Sequence, residues 1–267
     1  MRETKPGSPV GLLDLERDKA GNLWFDTMYQ GALGTMNPDT GDMKLYPLAA
    51  EWNDNRVQLN FVGLRHDVDG KVWTKSVGTQ DVFRLDIATG KWEKFHPTSQ
   101  LAGGPFSIYQ LISDSKNNAW LAEFTEGHLG RIDAKTGEVK WFNTPMSHAR
   151  ARRMVIDDQD RILLTLYRAN AVTFFDTNTE KFTEYKLPTP YTSPYRAAVD
   201  KNGQIWVAGM STDRAVRFDP ATGTSVEYLM PKNTNMRSLF IDNTTPKPTF
   251  WTGGNHTAEI VKVEQLD

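Results

Sequence analysis

An aspartate followed three residues later by a turn residue and six residues later by tryptophan recurs through the chain, and its spacing limits the fold to one architecture. The segment reads Asp18-Lys-Ala-Gly21-Asn-Leu-Trp24, Asp67-Val-Asp-Gly70-Lys-Val-Trp73, Asp114-Ser-Lys-Asn117-Asn-Ala-Trp120, and Asp200-Lys-Asn-Gly203-Gln-Ile-Trp206. Asp157 to Leu163 repeats it with leucine for tryptophan, and Asp242 to Trp251 repeats it with a stretched turn. Successive Asp positions are 49, 47, 43, 43 and 42 residues apart. A period of roughly 40 to 50 residues with strand-like content marks a β-propeller, in which one four-stranded blade cannot bury both faces alone.

A second marker keeps step with the first. Asn37, Asp86, Asp133, Asp176 and Asp219 each open a five-residue turn 19 residues after their own anchor Asp, and all but Asp176-Thr-Asn-Thr-Glu180 close on glycine. Short polar residues at the start and a residue tolerant of left-handed backbone at the end predict a hairpin turn. Each repeat is then strand A, turn, strand B, loop, strand C, turn, strand D. The fixed offset places length variation between strand D and the next strand A, with the longest connections through Leu48–Asn60 and Pro97–Gly104. Loops on the face carrying those connections are where function collects. Five second turns follow six anchors, so the last repeat lacks strand D. The sequence predicts an all-β, six-bladed propeller forming a single domain over residues 1–267, with Met1–Thr4 supplying the missing outer strand. The aromatic positions of strand B are expected to pack between blades in every repeat.

The composition excludes several functions. The net charge is −2 and the charged fraction 24%, which gives no electrostatic reason to expect nucleic acid or a membrane as partner. The chain has no cysteine, so disulfides and thiolate chemistry are absent. No apolar run approaches the about 20 residues needed to span a bilayer, and the first residues lack a signal-peptide core. A monomer is expected, with a periplasmic or secreted location favoured over a cytoplasmic one.

Candidate chemistry sits at the start of strand A and the end of strand B. The inventory there contains Asp26, Lys75 and Glu123 from strand B, Arg152, Tyr195 and Arg237 from strand A, and Tyr167 and His256 from the following loops. Arg152, Tyr195 and Arg237 stand five residues before their anchors, and with Lys75 and Tyr167 they suit an anionic or carbonyl-bearing ligand. Pairing of these arginines with acidic residues across blades is the competing reading. Glu123 and His256 are the candidate catalytic residues, and Glu123 with Asp26 the candidate ligands of a divalent cation, Mg²⁺ or Ca²⁺.

The stretches His128-Leu-Gly-Arg-Ile-Asp133 and Phe182-Thr-Glu-Tyr-Lys-Leu-Pro188, with the Asn22-Leu-Trp-Phe25 type of strand B, resemble the streptogramin B lyases (virginiamycin B lyase family) over essentially the whole chain. That resemblance implies a propeller, seven-bladed in the lyases, and metal-assisted opening of a cyclic depsipeptide by elimination. The family's strand-A histidine is absent from every repeat, replaced by Leu13, Val62, Tyr109, Arg152, Tyr195 and Arg237, and of its strand-B glutamates only Glu123 is present. The expected function is therefore a non-catalytic binding or interaction role toward a small-molecule ligand or protein partner on the upper face. A metal-assisted lyase or lactonase using Glu123 is the alternative.

Overall fold

The A–B turn shows how the repeat motif builds a blade. Asp200 Oδ1 accepts the amides of Asn202 and Gln204, while Oδ2 accepts the indole Nε1–H of Trp206 at 2.8 Å. One carboxylate closes the turn and fixes the first large side chain of strand B. Asp114 repeats the arrangement with Lys116, Asn118 and Trp120, and Asp18 does so with Asn22 and Trp24. Where Leu163 replaces tryptophan, Arg161 Nε takes the second oxygen of Asp157 at 2.8 Å. The fourth turn residue is left-handed each time: Gly21, Gly70, Asn117, Asp160 and Gly203 all have positive φ. The C–D turns are equally uniform, with Gly41, Gly90, Gly137, Glu180 and Gly223 donating their amides to the first turn residue at 2.8 to 2.9 Å.

The computed structural model describes residues 11–54 and 56–265. The expected outer strand at Met1–Thr4 lies outside the described residues. Among the described residues, 23 strands form six antiparallel sheets, each in simple sequential order. The first sheet holds β1 (Leu15–Arg17), β2 (Leu23–Thr27), β3 (Ala32–Met36) and β4 (Met43–Pro47). In the second, β5 (Leu59–Gly63) leads through the helical turn α1 (His66–Asp69) to β6 (Lys71–Ser76), β7 (Val82–Asp86) and β8 (Trp92–Phe95). The third holds β9 (Ile108–Ser113), β10 (Ala119–Glu123), β11 (His128–Ile132) and β12 (Val139–Asn143). The fourth is β13 (Ala151–Ile156), β14 (Arg161–Leu166), β15 (Ala171–Asp176) and β16 (Lys181–Lys186). The fifth is β17 (Pro194–Val199), β18 (Ile205–Gly209), β19 (Arg214–Phe218) and β20 (Ser225–Leu229). The last has three strands among the described residues, β21 (Phe240–Asp242), β22 (Thr249–Gly254) and β23 (Glu259–Val263). The fold is all-β, with six blades of a β-propeller. No helix among the described residues is long and apolar enough to cross a membrane.

Contacts divide the chain into two compact units: residues up to Leu121 with Leu129–Phe142, and Ala122–His128 with the chain from Asn143 onward. In the first, Trp73, Phe61, Leu111 and Leu121 form one core cluster and Trp24, Leu33 and Val72 another. In the second, Leu163, Val172, Ile205 and Val216 form one cluster and Trp206, Met236 and Phe250 another. Trp251 departs from the expected aromatic packing. It is half-buried with Lys262 over its ring, and Phe250, one residue earlier, packs in a tilted arrangement against Trp206, the ring centres 5.7 Å apart. Trp251 keeps the register of Trp24 and Trp206, pairing with Phe240 as Trp206 pairs with Ala198. The longer turn of the last blade leaves its indole without the anchor contact seen at Trp206.

Candidate functional site

The predicted site residues fall into the two units. Asp26 and Lys75 belong to the first, and Glu123, Arg152, Tyr167, Tyr195, Arg237 and His256 to the second.

Asp26 is fully enclosed. Its Oδ1 accepts the amide of Leu13 on its own blade and its Oδ2 that of Phe61 on the next, at 2.9 and 2.8 Å. Phe61 sits at a bulge of β5 with φ 68°, and this carboxylate holds it there. Burial pushes the Asp26 carboxyl up to about 6, the two amides pulling it partly back. Thr165, eight residues after its anchor as Asp26 is after Asp18, does the same work in the second unit. Its hydroxyl donates to the carbonyls of Arg153 and Tyr195, so the position ties neighbouring blades together. Lys75 is equally enclosed, with Nζ 5.5 Å from the centre of the Phe61 ring.

In the second unit, Glu123 closes its own loop. Oε1 accepts the amide of Thr125 at 2.5 Å, and Oε2 those of Glu126 and Gly127 at 2.9 and 3.1 Å. The loop presents Phe124 outward from the strand end, and Glu126 reaches His148 Nδ1 at 2.6 Å. Among the described residues, no three His, Asp or Glu side chains come together as a group able to hold a metal ion. The oxygens of Asp26 and Glu123 accept backbone amides, so the residues expected as ligands do not present a metal-binding set.

Arg152, Tyr167 and Tyr195 do come together. The Arg152 guanidinium lies 4.1 Å from the centre of the Tyr195 ring, 4.5 Å from Tyr167 and 5.3 Å from Phe124. Arg150 lies 5.4 Å from Phe124, and Arg153 5.8 Å from Tyr195. Each such contact is worth about 0.5 to 2 kcal/mol, increasing with desolvation. Burial alone would raise the Tyr167 hydroxyl. Its hydrogen bonds with Ser193 and Ser211, and then the charge of Arg152, outweigh that and hold it below the usual phenol range. Aromatic rings from three positions surround the Arg152 guanidinium.

Arg237 and His256 converge elsewhere. Arg237 Nε donates to Asn235 Oδ1 at 2.9 Å, and the amide of Asn235 donates to Asp213. Burial would raise Asp213, but the amides of Thr234 and Asn235, the Thr234 hydroxyl and the His256 charge hold it low. His256 is exposed beside this cluster.

Sequence reasoning missed the cleft beside Tyr167. A cavity of about 550 Å³ is lined by Arg150, by Tyr167, Arg168 and Asn170 from the β14–β15 loop, and by Leu187, Pro190, Tyr191 and Ser193 from the β16–β17 connection. Among the described residues no ion pair takes Arg150 or Arg168. Four of the eight lining residues, Arg150, Asn170, Tyr191 and Ser193, are non-glycine residues with φ between 54° and 59°. Asn170 holds the connection in place, donating to the carbonyls of Leu187 and Thr189 and accepting the amide of Thr192. Backbone strain of this kind, about 1 to 3 kcal/mol per residue, gathers at functional sites. The one sequence signal was an aromatic inside the proline-rich run Pro188-Thr-Pro-Tyr-Thr-Ser-Pro194.

The family model described as the virginiamycin B lyase family matches residues 4–265. Solved structures similar to this chain include a catalytically inactive virginiamycin B lyase from Staphylococcus aureus with quinupristin, at 16% identity and a TM-score of 0.76, covering 97% of this chain and 83% of that one. The extracellular domain of a hybrid two-component system from B. thetaiotaomicron matches at 18% identity and TM-score 0.68, over 97% of this chain and 34% of that one. Dihydro-heme d1 dehydrogenase NirN matches at 10% identity and TM-score 0.70, over 95% and 54%. At these identities the likeness speaks for the fold. No curated protein matches the sequence at a significant level.

Proposed function

The chain belongs to the virginiamycin B lyase family, and we propose that it uses this scaffold as a non-catalytic binding module for an anionic or carbonyl-bearing small molecule, held in the cleft of the second unit. The observation that carries this reading is the group of guanidiniums there. Arg152 is fixed against three aromatic rings, while Arg150 and Arg168 line the cleft outside any ion pair among the described residues. A fixed guanidinium gives up little side-chain entropy when it binds, and its fork matches a carboxylate or carbonyl oxygen. A cavity of this volume suits a small ligand. An extracytoplasmic location agrees with the extracellular domain of a two-component system among the structural neighbours.

The test is calorimetric titration of the protein with a carboxylate panel at two salt concentrations. The reading expects saturable binding that weakens with salt and is lost in the Arg150→Gln/Arg168→Gln variant. Binding indifferent to both changes contradicts it.

Family membership favours a second reading, a ring-opening lyase or lactonase acting through Glu123. Turnover of a cyclic ester by the wild type, abolished in a folded Glu123→Gln variant, would support it. A folded variant with unchanged turnover would remove it.

A further inference from the structure

Tyr191 is the anomaly of the cleft. It is 85% exposed, its φ is 59°, and it follows Pro190 in a connection whose neighbours are all tied down. Thr192 donates its amide to Asn170 and its hydroxyl to the Thr189 carbonyl, and Thr189 Oγ1 donates to Glu227 Oε2 at 2.6 Å. A left-handed tyrosine is disfavoured by its Cβ, and an exposed ring gains nothing from burial. The fold therefore presents this ring to solvent at an energetic disadvantage. It does so on the rim of a cavity that already contains Pro190 and Leu187, next to two guanidiniums outside any ion pair among the described residues.

We infer that the ligand is an aromatic monocarboxylate, its carboxylate held by Arg150 and Arg168 and its ring laid against Tyr191 and Pro190. This inference rests on the anion-binding reading above and adds the apolar half of the ligand. Inorganic phosphate would satisfy the guanidiniums and leave Tyr191, Pro190 and Leu187 without contact. An aliphatic carboxylate would cover them but forgo ring-on-ring attraction, which is worth about 0.5 to 1.5 kcal/mol beyond area. The Tyr167 hydroxyl, placed among Ser193, Ser211 and Arg152, adds a polar group on the cavity wall.

The experiment titrates the full chain with benzoate, cyclohexanecarboxylate and inorganic phosphate by calorimetry, and repeats the series on Tyr191→Ala and Arg168→Gln. Benzoate is expected to bind about five-fold tighter than cyclohexanecarboxylate, as a stacking contribution of this size requires. Tyr191→Ala, a change at an exposed ring that leaves the core untouched, is expected to erase that preference while cyclohexanecarboxylate still binds. Arg168→Gln is expected to weaken both carboxylates about equally. Equal binding of the two carboxylates by the wild type, or a benzoate preference that survives Tyr191→Ala, overturns the inference while leaving anion binding intact. Phosphate binding tighter than benzoate does the same. Binding of none of the three overturns the inference together with the reading beneath it.

Discussion

The Arg152 guanidinium lies 4.1 Å from the centre of the Tyr195 ring, and Tyr195 is 6% exposed beneath it. The flat cation covers the flat ring while Tyr167 and Phe124 flank it, so a positive charge beside the Tyr167 wall of the cleft is held by packing. Arg152→Lys keeps the charge and loses the planar contact. The variant is expected to be about 1 to 2 kcal/mol less stable by urea unfolding, and its Tyr167 is expected to ionise at higher pH by ultraviolet titration, because the Arg152 hydrogen bond that helps hold that hydroxyl low is lost while the charge is kept. An unchanged Tyr167 titration would separate the two residues.

The anchor aspartates predict a graded series. Asp200→Ala orphans the buried indole N–H of Trp206 and two turn amides. It is expected to cost about 2 to 4 kcal/mol, the desolvation of the abandoned donors adding to the lost charged hydrogen bonds. Asp157→Ala, whose second oxygen serves the half-exposed Arg161 side chain, is expected to cost less than half as much in the same assay.

Glu180 occupies the left-handed C–D turn position that glycine fills in the other four blades carrying the turn, with φ 55°. Glu180→Gly removes the Cβ conflict, partly offset by the greater freedom of glycine in the unfolded chain. A net gain of roughly 0.5 kcal/mol is expected by thermal or urea unfolding.

Asp26 gives the pH prediction. Its carboxyl stands at about 6, raised by burial from 3.8. The folded state therefore binds this proton more tightly than the unfolded state. The contribution to stability is full below about pH 4 and is lost as pH rises through 6. The difference amounts to at most about 3 kcal/mol. Wild-type stability measured against Asp26→Asn is expected to decline between pH 4 and 7, and a flat difference over that range would contradict the shift.

Much of the fold was legible because turns repeat while loops do not. The Asp–Trp spacing encoded a carboxylate that closes a turn and, at Trp24, Trp120 and Trp206, catches the indole, while Trp73 donates instead to the Asn117 carbonyl, and the constant 19-residue offset encoded two turns and a loop of fixed length. The indole bond itself was not visible, since nothing in spacing says that Asp200 points at Trp206. Trp251 misled for the same reason: its register is right, and only the longer turn changes its surroundings. Of the candidate site, Arg152 and Tyr195 stand at equivalent strand-A positions of adjoining blades, and Tyr167 follows β14 of the Arg152 blade, which is why the three side chains meet. Asp26 and Glu123 accept backbone amides, a role that composition cannot distinguish from catalysis. Tyr191, Asn170 and Ser193 escaped notice because their importance lies in backbone angles, which asparagine and serine hint at and tyrosine conceals.

The central claim is that the cleft of the second unit holds an anion by its guanidiniums. The most direct measurement is the calorimetric dissociation constant of benzoate for the wild type, the Arg150→Gln/Arg168→Gln variant, and a Lys181→Gln control on the exposed strand β16. The account predicts binding by the wild type and the control alike, and at least about ten-fold weaker binding by the double variant, as expected when two charge-assisted contacts are removed. Equal constants for all three proteins would contradict it.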